Sequence, residues 1–186
     1  MCKVRLAVLA SVLAGLLLLV ALPASASAGL AGFQYQREIT IQENSGETLR
    51  DYQVLVELSG SDFPEEAQAD GDDIRFTDAD GRELSYWVEE FDAGSERARI
   101  WVKVSLIPAN GEAGIMMWYG NPGAESESDG EAVFEFFDDF EGVYIDEIKW
   151  HVNYGMPSVS HGVLSLNGEC VLSEKVEAFG YNYIFE

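Results

Sequence analysis

Apolar and polar residues alternate with a period of two along most of the chain from residue 33 to residue 119, and this alternation restricts the fold more than any other feature. Successive side chains of a β-strand point to opposite faces, so alternating apolar residues form one face that can be buried. The plainest such row is Ile100, Val102, Val104 and Leu106. The pattern therefore predicts strands with one face turned toward a core.

Six segments carry this alternation, and each is bounded by Gly, Asn, Asp or Pro residues that favour turns. They are residues 33–41, 52–58, 73–76, 84–91, 98–106 and 113–119. Six short strands within about 90 residues are typical of two packed antiparallel sheets. The sequence therefore predicts an all-β fold, an antiparallel β-sandwich.

A second apolar pattern follows a polar stretch at residues 120–130, which reads as a linker or a long turn. The pattern begins at Phe134, and further strands are expected at residues 163–166 and 179–185. We therefore expect two units after the N-terminal segment. They are a β-sandwich domain at residues 29–131 and an incomplete second β-sandwich at residues 132–186.

The N-terminal residues 1–28 have the pattern of a secretory signal peptide. Lys3 and Arg5 precede an uncharged apolar run of 17 residues (22 − 5), and small residues follow it, with Ala26 and Ala28 each ending a small-x-small triplet. A spanning helix needs about 20 apolar residues. We expect cleavage after Ala26 or Ala28 and a secreted or cell-surface protein, with an uncleaved membrane anchor as the alternative.

The chain is strongly acidic, with 33 Asp and Glu residues against 11 Lys and Arg residues and a net charge of −22. Nucleic-acid binding needs a basic patch, so this balance argues against a nucleic-acid partner. Two explanations of the acidity stay open. The protein works in high salt or among divalent cations, or the charge keeps an exported protein soluble.

An ordered series of motifs resembles the family known as domain of unknown function 2341 over residues 33–136. The motifs lie at residues 73–78, Gly81, 86–89, 100–104 and 119–122. The resemblance implies a secreted or surface protein without assigned catalytic residues.

The same resemblance implies that a concanavalin-A-like, laminin-G-type jelly roll follows, and residues 137–141, 149–150 and 162–164 look like its opening strands. A jelly roll needs on the order of eight strands. The resemblance therefore implies that residues 132–186 form a partial jelly-roll β-sandwich, from a truncated reading frame or completed by a partner chain.

Four aromatic residues are candidate platforms for sugar rings, because flat aromatic faces suit the faces of pyranoses. They are Trp101, Trp87, Tyr86 and Trp118. Trp101 is the strongest candidate, since alternation places it opposite the apolar row of its own strand. Core filling is the alternative for all four, because a sandwich buries aromatic residues between its sheets.

A cluster of aspartates, chiefly Asp78, Asp80 and Asp73, is the candidate for a Ca²⁺ site, since Ca²⁺ prefers several carboxylates and carbonyls at a loop. Aspartates that bond the backbone of their own turn are the alternative. The spacing of His151 and His161 does not suit zinc. No triad, P-loop or suitably opposed carboxylate pair is visible, so no catalytic residue is expected.

These observations predict a non-catalytic, exported module that binds an extracellular glycan or another surface polymer, without a cofactor except possible assistance by Ca²⁺. One alternative is a structural spacer or assembly subunit of a cell-surface structure. Another is a fragment of a glycan-degrading enzyme.

Overall fold

The computed structural model describes residues 29–166 and 171–174, and for residues 171–174 it describes the backbone alone. The signal peptide expected at residues 1–28, Cys170 and the strand expected at residues 179–185 lie outside the described residues. No helix among the described residues is long and apolar enough to cross a membrane.

Strands make up nearly all of the regular structure. The strands are β1 (Tyr35–Gln42), β2 (Leu49–Ser59), β3 (Arg75–Asp78), β4 (Tyr86–Asp92), β5 (Arg97–Ile107), β6 (Glu112–Tyr119), β7 (Trp150–Tyr154), β8 (Ser158–Ser160), β9 (Val163–Ser165) and β10 (Val171–Glu174). One turn of 3-10 helix covers Gly60–Asp62, and the helix α1 covers Gly130–Val133. The six strands expected in the first unit are confirmed as β1 to β6.

The first six strands form two three-stranded antiparallel sheets, with the orders β1-β6-β3 and β2-β5-β4. In the second sheet Val54 lies opposite Val102 and Val56 opposite Ile100. The inner faces of both sheets meet in one core, to which β5 and β6, the central strands, contribute the most deeply buried residues. The antiparallel β-sandwich is therefore confirmed.

The apolar row of β5 is buried as expected over most of its length: Ile100 and Val102 are fully buried, and Val104 nearly so. The expectation for Leu106 was wrong, because its side chain is exposed and Ile107 is buried instead. Alternation breaks where β5 enters the turn at residues 108–111. A strand pattern fixes the buried face only while the chain remains regular.

Beyond the sandwich, the described residues form two separate antiparallel ribbons, β7 with β10 and β8 with β9. Each ribbon has two strands, and within the part of the chain that the structure describes no wider sheet joins them. The segment around α1 packs against the first sandwich as well as against these ribbons. It lies on the outer face of the β2-β5-β4 sheet, where the candidate site is found.

Candidate functional site: the Trp101 face

The outer face of the β2-β5-β4 sheet carries aromatic and charged side chains side by side. Burial of Ile100 and Val102 turns Arg99 and Trp101 to the opposite side of β5. The register places Leu55 of β2 and Trp87 of β4 directly beside Trp101. We call this surface, made of Leu55, Glu57, Trp87, Glu89, Arg99 and Trp101, the Trp101 face. Trp101 thus lies on the side of the strand that the sequence predicted.

A network of charged hydrogen bonds fixes the indole of Trp101. Its Nε1–H donates to Oε2 of Glu89 at 2.9 Å. Arg99 joins Glu89 to Glu57, with Nε 3.3 Å from Oε2 of Glu89 and Nη1 2.8 Å from Oε1 of Glu57. The guanidinium is thus held between carboxylates on both neighbouring strands. Such charge-assisted bonds hold side chains in defined positions and still leave exposed oxygens and N–H groups for a ligand.

The segment that follows residue 129 covers one side of the Trp101 face. Phe134 contacts both indoles edge-on, with ring centroids 5.4 Å from Trp101 and 6.0 Å from Trp87. Phe137 lies 4.7 Å from Trp87. Trp87 therefore packs against two phenyl rings and Trp101 against one of them, and both indoles are half-buried.

Backbone contacts hold this covering segment in place. Asp129 caps α1 by accepting the N–H groups of Glu131 and Ala132. Gln53 Nε2 donates to the carbonyl of Val133 at 3.0 Å. The covering segment, defined as residues 129–137, is thus held against the β2-β5-β4 sheet.

Tyr86 and Trp118 were predicted as possible sugar platforms, and the structure contradicts this for both. Tyr86 is 3 % exposed and Trp118 is 4 % exposed. The hydroxyl of Tyr86 accepts a hydrogen bond from Arg75 at 2.9 Å, and the indole N–H of Trp118 donates to Thr77 at 3.0 Å. Burial raises the pKa of Tyr86. Neither ring is exposed enough to stack on a sugar: Tyr86 fills the core, and Trp118 is buried on the opposite face of β6 from the core residue Met117.

The three aspartates predicted as Ca²⁺ ligands do not form one group, because Asp73 is buried apart from Asp78 and Asp80. Asp73 is fully buried, and its carboxylate accepts backbone N–H groups of Gln68, Gly120 and Asn121, each at 2.8 Å. Asp78 and Asp80 instead pair with Arg82 at 3.4 and 2.7 Å. Among the described residues, no group of three or more His, Cys, Asp or Glu side chains could hold a metal ion. The prediction of a Ca²⁺ site on these three residues was wrong.

A cleft of about 590 Å³ lies on the outer side of the β1-β6-β3 sheet, between the Leu30–Phe33 region and residues 123–127. Arg75 lines it, but the guanidinium is already engaged. It donates to the carbonyl of Glu125 at 2.6 Å and pairs with Glu127 at 3.0 Å. Arg75 therefore fixes the polar stretch after β6 rather than offering a free cation.

The sequence did not reveal the partners of Trp101. Alternation alone places Arg99 and Trp101 on one face, but the positions of Glu57 and Glu89 depend on the register of three strands. A bulge in β4 between Val88 and Glu90 shifts that register. Phe134 and Phe137 are visible in the sequence as apolar residues after the polar stretch. Their packing against Trp87 and Trp101 depends on the position of α1, which the sequence does not give.

Comparison with known proteins bears on one part of the chain. Residues 70–153 match the family described as Domain of unknown function (DUF2341). The match contains β3 to β6, the covering segment and most of β7, and hence Trp87 and Trp101. It begins and ends later than the expected range of 33–136. No curated protein and no solved structure shows significant similarity to the chain, so the expected jelly roll has no match to support it.

Proposed function

We propose that the protein is an exported, non-catalytic module that binds a glycan on the Trp101 face. The observation that carries the proposal is the fixed, half-buried indole of Trp101 beside the Glu57–Arg99–Glu89 network. Export is supported by the positive charges of Lys3 and Arg5, by the apolar run that follows them and by the small residues up to Ala28.

The chemistry of the Trp101 face suits an uncharged sugar. Sugar rings pair an apolar face with a rim of hydroxyl groups, and an indole beside carboxylates and a guanidinium offers a matching apolar surface and hydrogen-bonding rim. Because Arg99 is shared between two carboxylates, the guanidinium beside the indole is already paired and is a weak partner for an acidic polymer. A neutral hexose polymer is the ligand class that fits best.

A pull-down on cellulose, chitin, xylan and an insoluble β-glucan tests the proposal. We expect the chain beginning at Gly29 to be retained on at least one of them, with and without EDTA. Trp101→Ala is expected to weaken retention by about tenfold or more, since a buried Trp in a binding site is worth about 2 kcal/mol. Failure of every polymer to retain the protein would overturn the proposal.

Two further variants separate loss of the ligand surface from loss of the fold. Tyr144→Ala removes an aromatic ring that is 84 % exposed and distant in sequence, and it should leave retention unchanged. Trp101→Phe keeps a ring against Phe134 but removes the bond to Glu89, and it should give intermediate retention. Equal retention of the wild type and both Trp101 variants would place the site elsewhere.

A second candidate is an assembly subunit of a surface structure. It is favoured by exposed apolar side chains in residues 143–166, which suit burial against another surface. The partial jelly roll at residues 132–186, completed by a partner chain, belongs to this candidate, and two antiparallel ribbons are compatible with it. Self-association of the protein by light scattering, without glycan retention, would favour this second function.

A further inference from the structure

A pocket of about 320 Å³ lies between the covering segment and the residues just before β7. Its volume is at the lower end of the range for ligand-binding pockets, which is about 300–1,000 Å³. The pocket shares a wall with the Trp101 face, because Phe134 and Phe137 line it and also contact the indoles. A glycan that lies on Trp101 therefore has this pocket one phenyl ring away.

Most of the pocket wall is apolar. It consists of the rings of Phe134, Phe136 and Phe137 and the side chain of Ile148. The rings are held by one another and by β7, since Phe134 is stacked on Phe137 and Phe136 contacts Trp150 edge-on at 5.2 Å between ring centroids. Ile148 is 87 % exposed. A ligand with an apolar group of matching size would remove this wall and the isoleucine from water.

An ion pair supplies the polar part of the same pocket. Nζ of Lys149 lies 2.7 Å from Oε1 of Glu131, and this hydrogen bond raises the pKa of Lys149, so the amine is charged. An ammonium group has three N–H donors, and a carboxylate has two acceptor oxygens. Oδ2 of Asp146 is 4.0 Å from Nζ, which is too far for a hydrogen bond. Contacts among the described residues therefore leave a donor on Lys149 and Oε2 of Glu131 for a ligand.

We propose that the pocket holds the N-acetyl group of an acetylated aminosugar, in a glycan that lies on the Trp101 face. This inference rests on the function proposed above. An N-acetyl group joins a methyl to an amide with one N–H donor and one carbonyl acceptor. The methyl matches the phenyl wall, the carbonyl accepts from Lys149, and the N–H donates to Glu131.

Two other substituents fit this pocket less well. A hydroxyl group, which plain hexose polymers carry in place of the N-acetyl group, would leave the apolar wall in water. An acidic substituent would meet two carboxylates, Glu131 and Glu135, and only one ammonium, that of Lys149. The pocket therefore favours a neutral substituent that is apolar at its end and polar at its base.

Two soluble oligosaccharides that differ in this substituent test the inference. Chitotetraose and cellotetraose have the same linkage, and an acetamido group in the first replaces a hydroxyl group in the second. Isothermal titration calorimetry measures the binding of each to the full chain, expressed in an exporting host. We expect chitotetraose to bind about tenfold more tightly or better, because its methyl is buried and its amide makes hydrogen bonds.

Variants of the pocket should remove this preference. Ile148→Ser takes away part of the apolar wall at an exposed position, and Lys149→Met removes the ammonium group while it keeps a long side chain. Each should weaken the binding of chitotetraose several-fold and leave that of cellotetraose unchanged. Met156→Ser is the matched control, since Met156 is 86 % exposed and lies outside the pocket lining, and it should change neither affinity.

The other outcomes separate this inference from the proposed function. Equal affinities of the wild type for the two oligosaccharides would overturn the inference and leave a glycan site on the Trp101 face. A preference that survives in both pocket variants would place recognition of the N-acetyl group elsewhere and would also overturn it. Binding of neither oligosaccharide would reject the inference, and the pull-down on polymers would then decide the proposed function by itself.

Discussion

At the scale of single residues, buried carboxylates tie distant parts of the sandwich together. Asp73 stands just before β3, and its three backbone donors come from residue 68 and from the end of β6. Glu43 has the same role at the other end, where it accepts the backbone N–H groups of Ser45, Gly46 and Asn110. Both residues join loops that the sequence alone presents as ordinary polar turns.

Asp73→Asn is expected to destabilise the fold. The carboxylate accepts three backbone N–H groups, whereas an amide has one acceptor oxygen and a donor that would face an N–H group. A buried donor left without a partner costs about 1–3 kcal/mol. The free energy of unfolding in urea measures the loss. Asp70→Asn, at an exposed position, is the control and should change stability by less than about 0.5 kcal/mol.

Glu43 is expected to make stability depend on pH in the acid range. Hydrogen bonds, first from the side chain of Ser45 and then from the backbone of Asn110, lower the pKa of Glu43 to about 2 from an ordinary 4.5. Because the folded pKa lies below the unfolded one, its stabilising effect is complete above pH 4.5 and declines as the pH falls toward 2.

Urea unfolding of Glu43→Gln between pH 7 and pH 2.5 tests this assignment. The variant should be less stable than the wild type at pH 7, and the difference should shrink on acidification. Glu47→Gln, at an exposed position in the same turn, should follow the wild type. A difference that grows as the pH falls would contradict the assigned sign.

At the scale of elements, alternation was enough to predict the six strands of the sandwich and, over most of β5, the face that is buried. Alternation failed where a segment outside the two sheets covers the outer face of a strand. The side chain of Trp118 points to the opposite face of β6 from Met117, which lies in the core. Trp118 is buried nonetheless, and Gly29 lies against its ring. Strand periodicity assigns a residue to one of two faces, but it cannot say whether the outer face is covered.

The candidate site illustrates the same limit. The position of Trp101 on the outer face followed from its own strand, whereas its bond to Glu89 required the register and bulge of a neighbouring strand. Aspartate clusters were ambiguous for a related reason. A turn aspartate that bonds backbone N–H groups has the same local sequence as a cation ligand, and the surrounding fold decides between them.

Phe134→Ala is expected to loosen the covering segment from the sheet. The phenyl ring contacts Trp87 and Trp101 but is only half-buried, so the expected loss is about 1–3 kcal/mol, less than for a core phenylalanine. Unfolding in urea gives the loss, and a shift of tryptophan fluorescence to longer wavelength reports the exposed indoles. Tyr144→Ala should change neither reading, and an equal effect of both variants would disprove the packing role.

At the scale of the whole molecule, charge opposes the compact state. A net charge of −22 on 186 residues creates repulsion that salt screens. The described structure relieves part of it locally through ion pairs such as those of Arg99 and Arg82. These pairs are exposed, so they contribute little individually.

Stability is therefore expected to rise as NaCl is increased from about 10 mM to about 500 mM, over which the screening length falls to a few ångströms. The melting temperature measures the effect. CaCl₂ at matched ionic strength serves as the control and should raise the melting temperature by a similar amount, since screening depends on ionic strength. A saturable increase at micromolar CaCl₂ would instead demonstrate a specific Ca²⁺ site.

The strands that pair with β5 and β6 determine where this module can be excised or grafted. Both central strands lie within residues 70–153, but their partners β2 and β1 come earlier in the chain. A fragment cut at the limits of the family match would leave β5 and β6 each with one unpaired hydrogen-bonding edge. It would also lose the core residues that β1 and β2 contribute. The folding unit is therefore longer than the family match, and a grafted module needs to begin at β1.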